Sequence, residues 1–346
     1  MFSHRMAIRI AAVCAAAMLC AATVAASAQQ LVPAKLSTGF VFTGGAAAPL
    51  LLAEKRGYFK EGGVLIDIVR GFGSADVVTK IAAGTYEAGT GYLPELVRAK
   101  AEDPDLDAIA VAIAYDIDPN GLVGPKTNGV TGPKDIAGKR ISAQPGNTSM
   151  LIFPAFAKAV GIDQASIKWV SVGSPLLAIT VQQGNADLAA GFVSTAVANF
   201  EKIGYTADQL TQITYSDFVP NLYGNALILR KSWAQKNPDA ARGLVRAYVR
   251  GLIDSRKEQD AALNILMERE PLLNKAVEAK DLSYGLEKYY FTDRVLQKGF
   301  GYQTKADVDA FIKLIAEPFG LKRVPTADEI YTDAYLPPVA ERAVPK

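Results

Sequence analysis

Short apolar runs alternate with segments of helical periodicity along most of the chain. The runs that have the length and the β-branched content of strands lie at 64–69, 86–91, 106–114, 167–172, 187–191 and 223–229. Helical segments with Gly, Pro or Ser at their ends separate these runs. Alternation of this kind is typical of α/β folds with mostly parallel sheets, so we predict an α/β architecture.

The helical segments have recognisable boundaries. Pro49 stands where a first-turn proline is expected and Gly57 where a C-cap glycine is expected, so we predict a helix that begins at Pro49. Ser74 and Gly84 bracket the next helix. In the mainly helical last third, Thr304 is the N-cap candidate of an amphipathic helix.

An internal repeat relates two parts of the chain at an offset of 100 residues. Each copy has a strand, Gly-Ser, a helix, Gly, an acidic residue, a second strand and an aromatic residue. The matched positions are Gly73-Ser74 with Gly173-Ser174, Gly84 with Gly184, Glu87 with Asp187, Gly91 with Gly191, and Tyr92 with Phe192. We interpret the repeat as two doubly wound lobes built on one βαβ plan; the alternative is that any such sheet reuses Gly at these turns.

The N-terminus has the pattern of an export signal. Arg5 and Arg9 precede an apolar run at 10–22, which is shorter than the roughly 20 residues of a membrane span. Small residues at 26–28 complete a cleavage site, so we predict a signal peptide over 1–28, cleaved after Ala28, and a periplasmic protein. The alternative is an uncleaved anchor.

The predicted signal segment contains both cysteines, Cys14 and Cys20, and the single histidine, His4. A lipid-modified N-terminus is disfavoured because Val13 and Leu19 stand where a lipobox has a small residue. The predicted mature chain has neither His nor Cys. That composition excludes Ser-His-Asp and Cys-His nucleophiles, structural zinc, His-ligated haem and disulfides, and we expect no cofactor and no metal site.

The charge balance excludes further classes of partner. The chain carries 37 Lys and Arg against 35 Asp and Glu, and half of its residues are hydrophobic. No basic excess indicates a nucleic-acid partner or an anionic membrane surface. The length allows two lobes of ordinary domain size.

The segment from Pro49 to Gly62 contains the run Gly57-Tyr-Phe-Lys-Glu-Gly62. It resembles the signature of nitrate/sulfonate/taurine-type solute-binding proteins of ABC importers, a family that also includes binders of the thiamine pyrimidine precursor. Segments that also resemble this family lie at 84–91, 132–141, 144–147, 184–187 and 332–336.

The resemblance implies a two-lobe periplasmic binding protein fold that closes around one ligand. The chain is then expected to cross between lobes near 116–123 and again near 219–224. Lobe 1 comprises 29–118 and 222–346, and lobe 2 comprises 119–221. The partners implied are a small-molecule ligand and an ABC importer permease, with the protein itself a monomer.

The resemblance also places the ligand between the lobes, at loops that follow strands. The candidate ligand-binding residues in these loops are Phe42, Thr43, Gly44, Gly73, Ser74, Tyr92, Asp116, Asn147, Thr148, Ser149, Phe192, Ser194 and Tyr223. The serines stand at helix N-termini, where free N–H groups hold polar ligand atoms, although a plain N-cap explains them equally well. The aromatic residues are candidates for walls or stacking surfaces, and their alternative role is core packing.

One helix start among these candidates is ambiguous. If Asn147 caps a helix, Pro154 falls beyond the first turn and is expected to kink it. The alternative is a helix that begins near Ile152, which leaves 147–149 in a loop.

The loops hold acidic residues and no Arg or Lys. Asp76, Glu95, Asp116 and Asp217 lie in or beside them, whereas a sulfonate or nitrate site favours an arginine fork. Carboxylates accept hydrogen bonds from ring or amine nitrogens. We therefore favour a nitrogen-containing or aromatic ligand, with sulfonates and organic acids held by helix N-termini left open.

Two other motifs are set aside. The segment 71–76 half-matches a dinucleotide fingerprint, but Asp76 replaces the third glycine and repels a pyrophosphate. The acidic segment 103–107 is similar to a calcium loop, but Ala108 and Ala114 replace the required Gly and Glu.

The rival functions are a carboxylate-dependent hydrolase that uses Asp116 and Asp217 as a pair, and a soluble partner that presents its ligand to a membrane sensor. The precursor-synthesising relatives of the family use His and Cys, which the predicted mature chain lacks. We therefore predict a binding protein rather than an enzyme.

Overall fold

The computed structural model describes residues 30–39, 42 and 44–344. The predicted signal peptide, its cleavage site and Thr43 lie outside the described residues. Within the described part of the chain, every helix is too short or too polar to cross a membrane.

In the described residues, ten strands form two five-stranded sheets. The first sheet contains β1 (Val32–Ser37), β2 (Val64–Val69), β3 (Ala88–Tyr92), β4 (Ile109–Ile113) and β10 (Asn225–Leu229). The second contains β5 (Asn120–Pro125), β6 (Arg140–Ala143), β7 (Lys168–Ser171), β8 (Leu188–Phe192) and β9 (Leu210–Thr214). Each sheet with the helices packed on it is called a lobe below.

Helices cover the faces of both sheets. In chain order they are α1 (Gly44–Lys55), α2 (Tyr58–Glu61), α3 (Ser74–Ala82), α4 (Leu93–Glu102), α5 (Thr148–Val160), α6 (Leu177–Gln182), α7 (Val193–Lys202), α8 (Lys231–Lys236), α9 (Pro238–Lys257), α10 (Gln259–Arg269), α11 (Lys275–Gly285), α12 (Asp293–Lys298), α13 (Lys305–Ala316), α14 (Ala327–Ile330) and α15 (Val339–Arg342). Short 3₁₀ turns lie at Lys126–Asn128, Pro133–Ile136, Gln164–Ser166, Ser174–Leu176, Ala207–Gln209 and Tyr215–Asp217, and one π-helical turn lies at Leu286–Tyr290. The α/β prediction is confirmed.

The two sheets have the same topology. Their strand orders are β2-β1-β3-β10-β4 and β7-β6-β8-β5-β9. In each, three parallel strands come first, and a strand that pairs antiparallel on both sides comes fourth. The 100-residue repeat is visible directly, because β3 and β8 and the helices after them begin at positions 100 apart. The interpretation as one βαβ plan used twice is therefore confirmed.

In each sheet, the fourth strand in the order is the first strand that the chain forms after it passes from one lobe to the other. The chain leaves the first sheet after β4 and enters the second with β5, over residues 114–119, called the first crossing. It returns between β9 and β10, over residues 215–224, called the second crossing. The crossings run side by side: Gly224 N donates to the Tyr115 carbonyl at 3.0 Å, and Asp118 N to the Leu222 carbonyl at 2.9 Å.

The first helix begins earlier than predicted. α1 begins at Gly44, so the prediction of a start at Pro49 is wrong. An interior proline leaves the carbonyl four residues before it without its N–H partner. Here that carbonyl belongs to Gly45, and the Tyr290 hydroxyl donates to it at 3.0 Å. A contact from the C-terminal third therefore lets the helix extend through Pro49.

The interior is continuous at the crossings. Ile113 of β4, Leu122 of β5 and Phe156 of α5 belong to one buried cluster, together with Tyr223 of the second crossing and Phe311 of α13. The lobes are therefore joined by packed side chains as well as by two chain segments.

Candidate functional site

The equivalent strand ends of the two lobes meet the crossings. After β3 ends at Tyr92, the Leu93 N–H donates to the Gly224 carbonyl at 3.0 Å. After β8 ends at Phe192, the Val193 N–H donates to the Pro119 carbonyl at 3.0 Å. Tyr92 and Phe192, the paired aromatic residues of the repeat, are thus both brought to the junction between the lobes.

A buried polar network runs through this junction. The Tyr92 hydroxyl donates to Asp118 Oδ2 at 2.5 Å and accepts from Asn120 Nδ2 at 3.2 Å. On the other side, Thr148 Oγ1 and Ser149 Oγ each donate to Asn120 Oδ1 at 2.9 Å. The network therefore joins a strand end of the first lobe to the N-terminus of α5 in the second. Tyr92, Thr148 and Ser149 were predicted as ligand contacts, and their hydroxyls are used in these bonds.

Asp118 is the one carboxylate in this network. Its side chain is fully buried, and the Asn120 N–H also donates to it at 2.8 Å. Burial raises its pKa to about 7, although the hydrogen bonds from Tyr92 and Asn120 act in the opposite direction. No guanidinium or ammonium group forms an ion pair with it among the described residues. It therefore changes charge near neutral pH.

Aromatic side chains from both lobes meet beside the network. Tyr115 of the first crossing contacts Phe192 of the second lobe edge-on, with ring centroids 6.5 Å apart. Tyr115 also contacts Tyr289, at 5.5 Å, and Tyr289 contacts Tyr284, at 5.4 Å. Tyr289 lies in the π-helical turn, a rare element that often occurs at functional sites. The four rings, Tyr115, Phe192, Tyr284 and Tyr289, are called the aromatic cluster below.

Two polar groups border the aromatic cluster. Burial raises the pKa of Tyr289, and the Ser194 hydroxyl of the opposite lobe partly offsets this, so the two side chains are neighbours. Burial also raises the pKa of the Asp217 carboxyl, and burial, with a smaller contribution from the charge of Asp217, raises the pKa of Tyr284. Within the described residues Asp217 belongs to no ion pair, so its carboxylate is available as a hydrogen-bond acceptor.

Asp116 is occupied by the protein itself. Thr292 Oγ1 donates to its Oδ2 at 2.5 Å, Arg294 Nε lies 2.9 and 3.0 Å from its two oxygens, and Gln303 Nε2 donates at 2.6 Å. The sequence places no cation in the loops around Asp116, but the fold supplies Arg294. This arrangement speaks against a role of Asp116 as a ligand contact.

Phe42, another predicted contact, lies at the carboxyl edge of the first sheet. Its ring is buried, and two guanidinium groups lie near it, that of Arg70 at 5.6 Å and that of Arg269 at 5.4 Å from the centroid. Arg70 pairs with Glu270, and Arg269 with Glu54 at 3.5 Å. Each cation therefore has a carboxylate partner.

The remaining predicted residues lie at helix starts, in a helix cap or in the hydrophobic core. Gly44 is the first residue of α1, and Gly73 and Ser74 form the N-terminus of α3. Asn147 caps α5 through its side chain, which accepts from Met150 N at 2.9 Å, so the helix start near Ile152 is wrong. Tyr223 is fully buried against Phe311 and belongs to the core.

Sequence reasoning missed Asp118, Asn120, Tyr115, Tyr284 and Tyr289. The first three lie within or next to the predicted first crossing, so their position was a usable signal. The two tyrosines come from the C-terminal third, where no motif indicated that the segment returns to the junction.

The motif that carries the resemblance lies away from this junction. The Tyr58 hydroxyl donates to Asp254 of α9 at 2.6 Å, and the Arg250 guanidinium lies 3.6 Å from the Tyr58 ring centroid. Gly62 approaches Gly243 of the same helix so closely that an added Cβ meets backbone at 2.7 Å. The segment 49–62, which carries the resemblance, therefore packs against α9 and holds this helix on the first lobe.

Acidic residues do not gather into a metal site in the described chain. Within residues 30–39, 42 and 44–344, no three His, Cys, Asp or Glu side chains are placed to hold an ion. The chemistry available at the junction is therefore hydrogen bonding, aromatic contact and the charge of Asp118 and Asp217.

Comparison with known proteins identifies relatives of this chain. The model of the NMT1/THI5-like family matches residues 46–262. The 4-amino-5-hydroxymethyl-2-methylpyrimidine phosphate synthase of Legionella pneumophila is 23% identical over 84% of this chain and 88% of the relative. The formylaminopyrimidine-binding protein of Halalkalibacterium halodurans is 24% identical over 69% of this chain and 72% of the relative.

A solved structure shares the architecture. The periplasmic aliphatic sulphonate binding protein SsuA of Escherichia coli superposes with a TM-score of 0.67 at 15% identity, covering 88% of this chain and 92% of that one. At this identity the likeness establishes the fold alone. The chain has the two-lobe fold of periplasmic binding proteins.

Proposed function

Because the chain belongs to the NMT1/THI5-like family, we propose that it is the solute-binding component of an ABC importer. It captures a small nitrogen-containing aromatic molecule between its two lobes in the periplasm, after cleavage of residues 1–28, and delivers it as a monomer to a membrane permease.

The observation that carries this proposal is the aromatic cluster at the junction. Phe192 belongs to the second lobe, Tyr115 to the first crossing, and Tyr284 and Tyr289 to the first lobe. Ligand sites of open α/β sheets lie at the carboxyl ends of the strands, and aromatic rings provide flat surfaces there at low entropic cost. A planar ligand that inserts here contacts both lobes at once.

Charge supports a ligand that donates hydrogen bonds. Arg294, a cation at the crossings, is bonded to Asp116, whereas the Asp217 carboxylate near Tyr284 belongs to no ion pair in the described chain. An acceptor beside aromatic rings suits an amino group on a heterocycle. Two relatives bear names that refer to pyrimidines, which agrees with this choice.

A second ligand class has one observation in its favour. Arg70 and Arg269, which both contact the Phe42 ring, form a basic region at the edge of the first sheet, which suits a sulfonate or an organic acid. Their pairing with Glu270 and Glu54 neutralises that region. The nitrogen heterocycle therefore remains the primary proposal.

Binding without turnover is part of the proposal, although one relative is named a synthase. His4, Cys14 and Cys20 are the chain's whole supply of His and Cys, and all precede residue 30. The carboxylate pair of the rival hydrolase mechanism also loses support, because Asp116 is occupied by Arg294, Thr292 and Gln303.

The proposed mechanism is closure of the lobes about the two crossings. The proposed lobe boundaries, 118/119 and 221/222, fall within the crossings. The ligand stabilises the closed form because it contacts both lobes only there, and an equilibrium shifts only by such differential affinity.

A thermal-shift screen tests the proposal. The purified protein is heated with aminopyrimidines, other aromatic amines, sulfonates, nitrate and carboxylates. A ligand at 100 times its dissociation constant adds about 2.7 kcal/mol, which raises the melting temperature by a few degrees. We expect stabilisation by aminopyrimidines or aromatic amines. Stabilisation by sulfonates or carboxylates alone contradicts the ligand class, and chemical turnover of a hit contradicts the binding function.

A further inference from the structure

Both crossings are bonded to one side chain, Arg294 at the start of α12. On the first crossing, its Nε donates to the Asp116 carboxylate at 2.9 and 3.0 Å, and its Nη2 donates to the Asp116 carbonyl at 2.8 Å. On the second crossing, its Nη1 donates to Asn221 Oδ1 at 2.9 Å. The two connections between the lobes therefore share one anchor in the first lobe.

Asp116, the first-crossing partner of Arg294, is buried and hydrogen-bonded to several other groups of the first lobe. The Asp116 side chain is 2% exposed. Thr292 and Gln303 also donate to its carboxylate, and its own N–H donates to the Tyr289 carbonyl at 3.0 Å. All these partners lie within residues 289–303 of the first lobe. Asp116 therefore moves with the first lobe.

Asn221, the second-crossing partner of Arg294, has an unusual backbone conformation. Asn221 has φ of 60°, and it is the only residue other than glycine with positive φ in the described chain. Asn tolerates this conformation better than most residues, and the bond to Arg294 holds its side chain in place. Two residues later, the Tyr223 ring centroid lies 5.1 Å from the same guanidinium. Arg294 thus contacts the second crossing through a polar and an aromatic group.

We propose that Arg294 is a hinge-positioning residue that clamps both crossings to the first lobe and confines lobe rotation to the segments beyond the clamp, 117–119 and 215–220. The inference rests on the proposed function only in assuming that the lobes move relative to each other. An arginine is required because its planar fork bonds to Asp116 and Asn221 together, whereas a lysine keeps the charge but provides a single point of attachment.

The test measures the distance between the lobes in ligand-free protein. Spin labels are placed at K60C in α2 and T195C in α7, both exposed positions on opposite lobes, in a full chain that also carries C14S and C20S. Double electron–electron resonance then gives the distance distribution. R294K keeps the charge and removes the fork. N221G keeps the positive φ and removes only the second-crossing bond.

The matched control is R342K. Arg342 is a buried arginine that, like Arg294, lies in the C-terminal part of the first lobe; it donates to the Lys298 carbonyl at 2.9 Å, its guanidinium lies over the Tyr302 ring, and none of its described contacts is with a crossing. If broadening of the distance distribution comes only from lost stability, R342K is expected to show it as well. It therefore separates general destabilisation from loss of the clamp.

We expect a broader distance distribution for R294K, a smaller broadening for N221G, and the wild-type distribution for R342K. A wild-type distribution in R294K overturns the inference, as does equal broadening in R342K. If R294K does not fold, N221G alone is the test, and a wild-type distance distribution in N221G then overturns the inference. No ligand enters the measurement, so an unsuccessful ligand screen and an unsuccessful hinge test remain distinguishable.

Discussion

The Tyr92 hydroxyl lies 2.5 Å from Asp118 Oδ2, so the end of β3 in the first lobe is hydrogen-bonded to the first crossing through a fully buried carboxylate. Asn120 and Ser149 extend this connection into the second lobe. This polar network between the lobes therefore contains a group that titrates, and its effect on stability can be measured directly.

The stability of the protein is expected to depend on pH through Asp118. Its pKa rises from about 3.8 in an ordinary environment to about 7 in the folded protein, because burial disfavours the charge. Between these pH values the folded state holds a proton that the unfolded chain releases. The contribution of Asp118 to stability is therefore complete below about pH 4 and is lost as the pH rises to about 7, with a magnitude on the order of a few kcal/mol.

The variant D118N isolates this effect because its amide does not titrate. Urea unfolding of both proteins between pH 4 and pH 8 gives the difference in free energy of unfolding. Carboxylates with lowered pKa, such as Asp187 and Asp307, contribute an opposite trend to both proteins and cancel in the difference. We expect wild-type protein to lose stability relative to D118N as the pH rises, and a constant difference contradicts the assignment.

Removal of the Asp217 carboxylate is expected to weaken ligand binding. Hydrogen bonds to charged groups contribute about 1.5–3 kcal/mol, so D217N lowers the affinity for an amine-bearing ligand roughly tenfold to a hundredfold. D260N, at an exposed acidic residue of α10, is the control and keeps wild-type affinity. Isothermal titration calorimetry with the screening hit measures both. Equal affinities for D217N and wild type exclude Asp217 from the site.

An ion pair between the lobes is expected to favour the closed form. Lys280 Nζ of α11 lies 2.7 Å from Glu201 Oε2 of α7, with the lysine side chain 67% exposed. Exposed pairs contribute roughly 0.2–1 kcal/mol, so K280E weakens ligand binding by at most about fivefold. The double variant K280E/E201K restores the pair and the affinity. K55E, which breaks a comparable pair with Glu268 inside the first lobe, leaves binding unchanged.

Crowding between two glycines predicts a large effect on stability. A Cβ added at Gly243 meets the Gly62 carbonyl oxygen at 1.9 Å, so G243A forces α9 away from the segment before β2. We expect a loss of roughly 1–3 kcal/mol, although alanine has the higher helix propensity. In G132A the new methyl group meets no atom within 4 Å, so this variant is the control. Denaturant unfolding compares them, and a stable G243A contradicts the close approach.

The features that follow from local pattern were predictable from the sequence. β2 spans the predicted 64–69, the predicted Thr304 cap accepts from Asp307 N at 3.1 Å, and the 100-residue repeat appears as two sheets of one topology. Periodicity and capping depend on residues a few positions apart. Local sequence therefore contains the information that fixes them.

The features that depend on distant partners were not predictable in the same way. In the sequence Asp116 has no basic residue near it, because its partner Arg294 is 178 residues away. The start of α1 was misplaced because the hydroxyl that compensates for Pro49 comes from Tyr290. Tyr289 reaches the aromatic cluster through a π-helical turn that no local signal marks. In each case tertiary contacts decide what the residue does.

The central claim, that one small molecule binds between two lobes and closes them, is tested most directly by small-angle X-ray scattering of the protein with and without a saturating hit from the thermal-shift screen. The account predicts that the radius of gyration falls when the ligand is added, and that excess ligand causes no further change. A tightly bound ligand that leaves the radius of gyration unchanged contradicts closure and places the binding site outside the junction of the lobes.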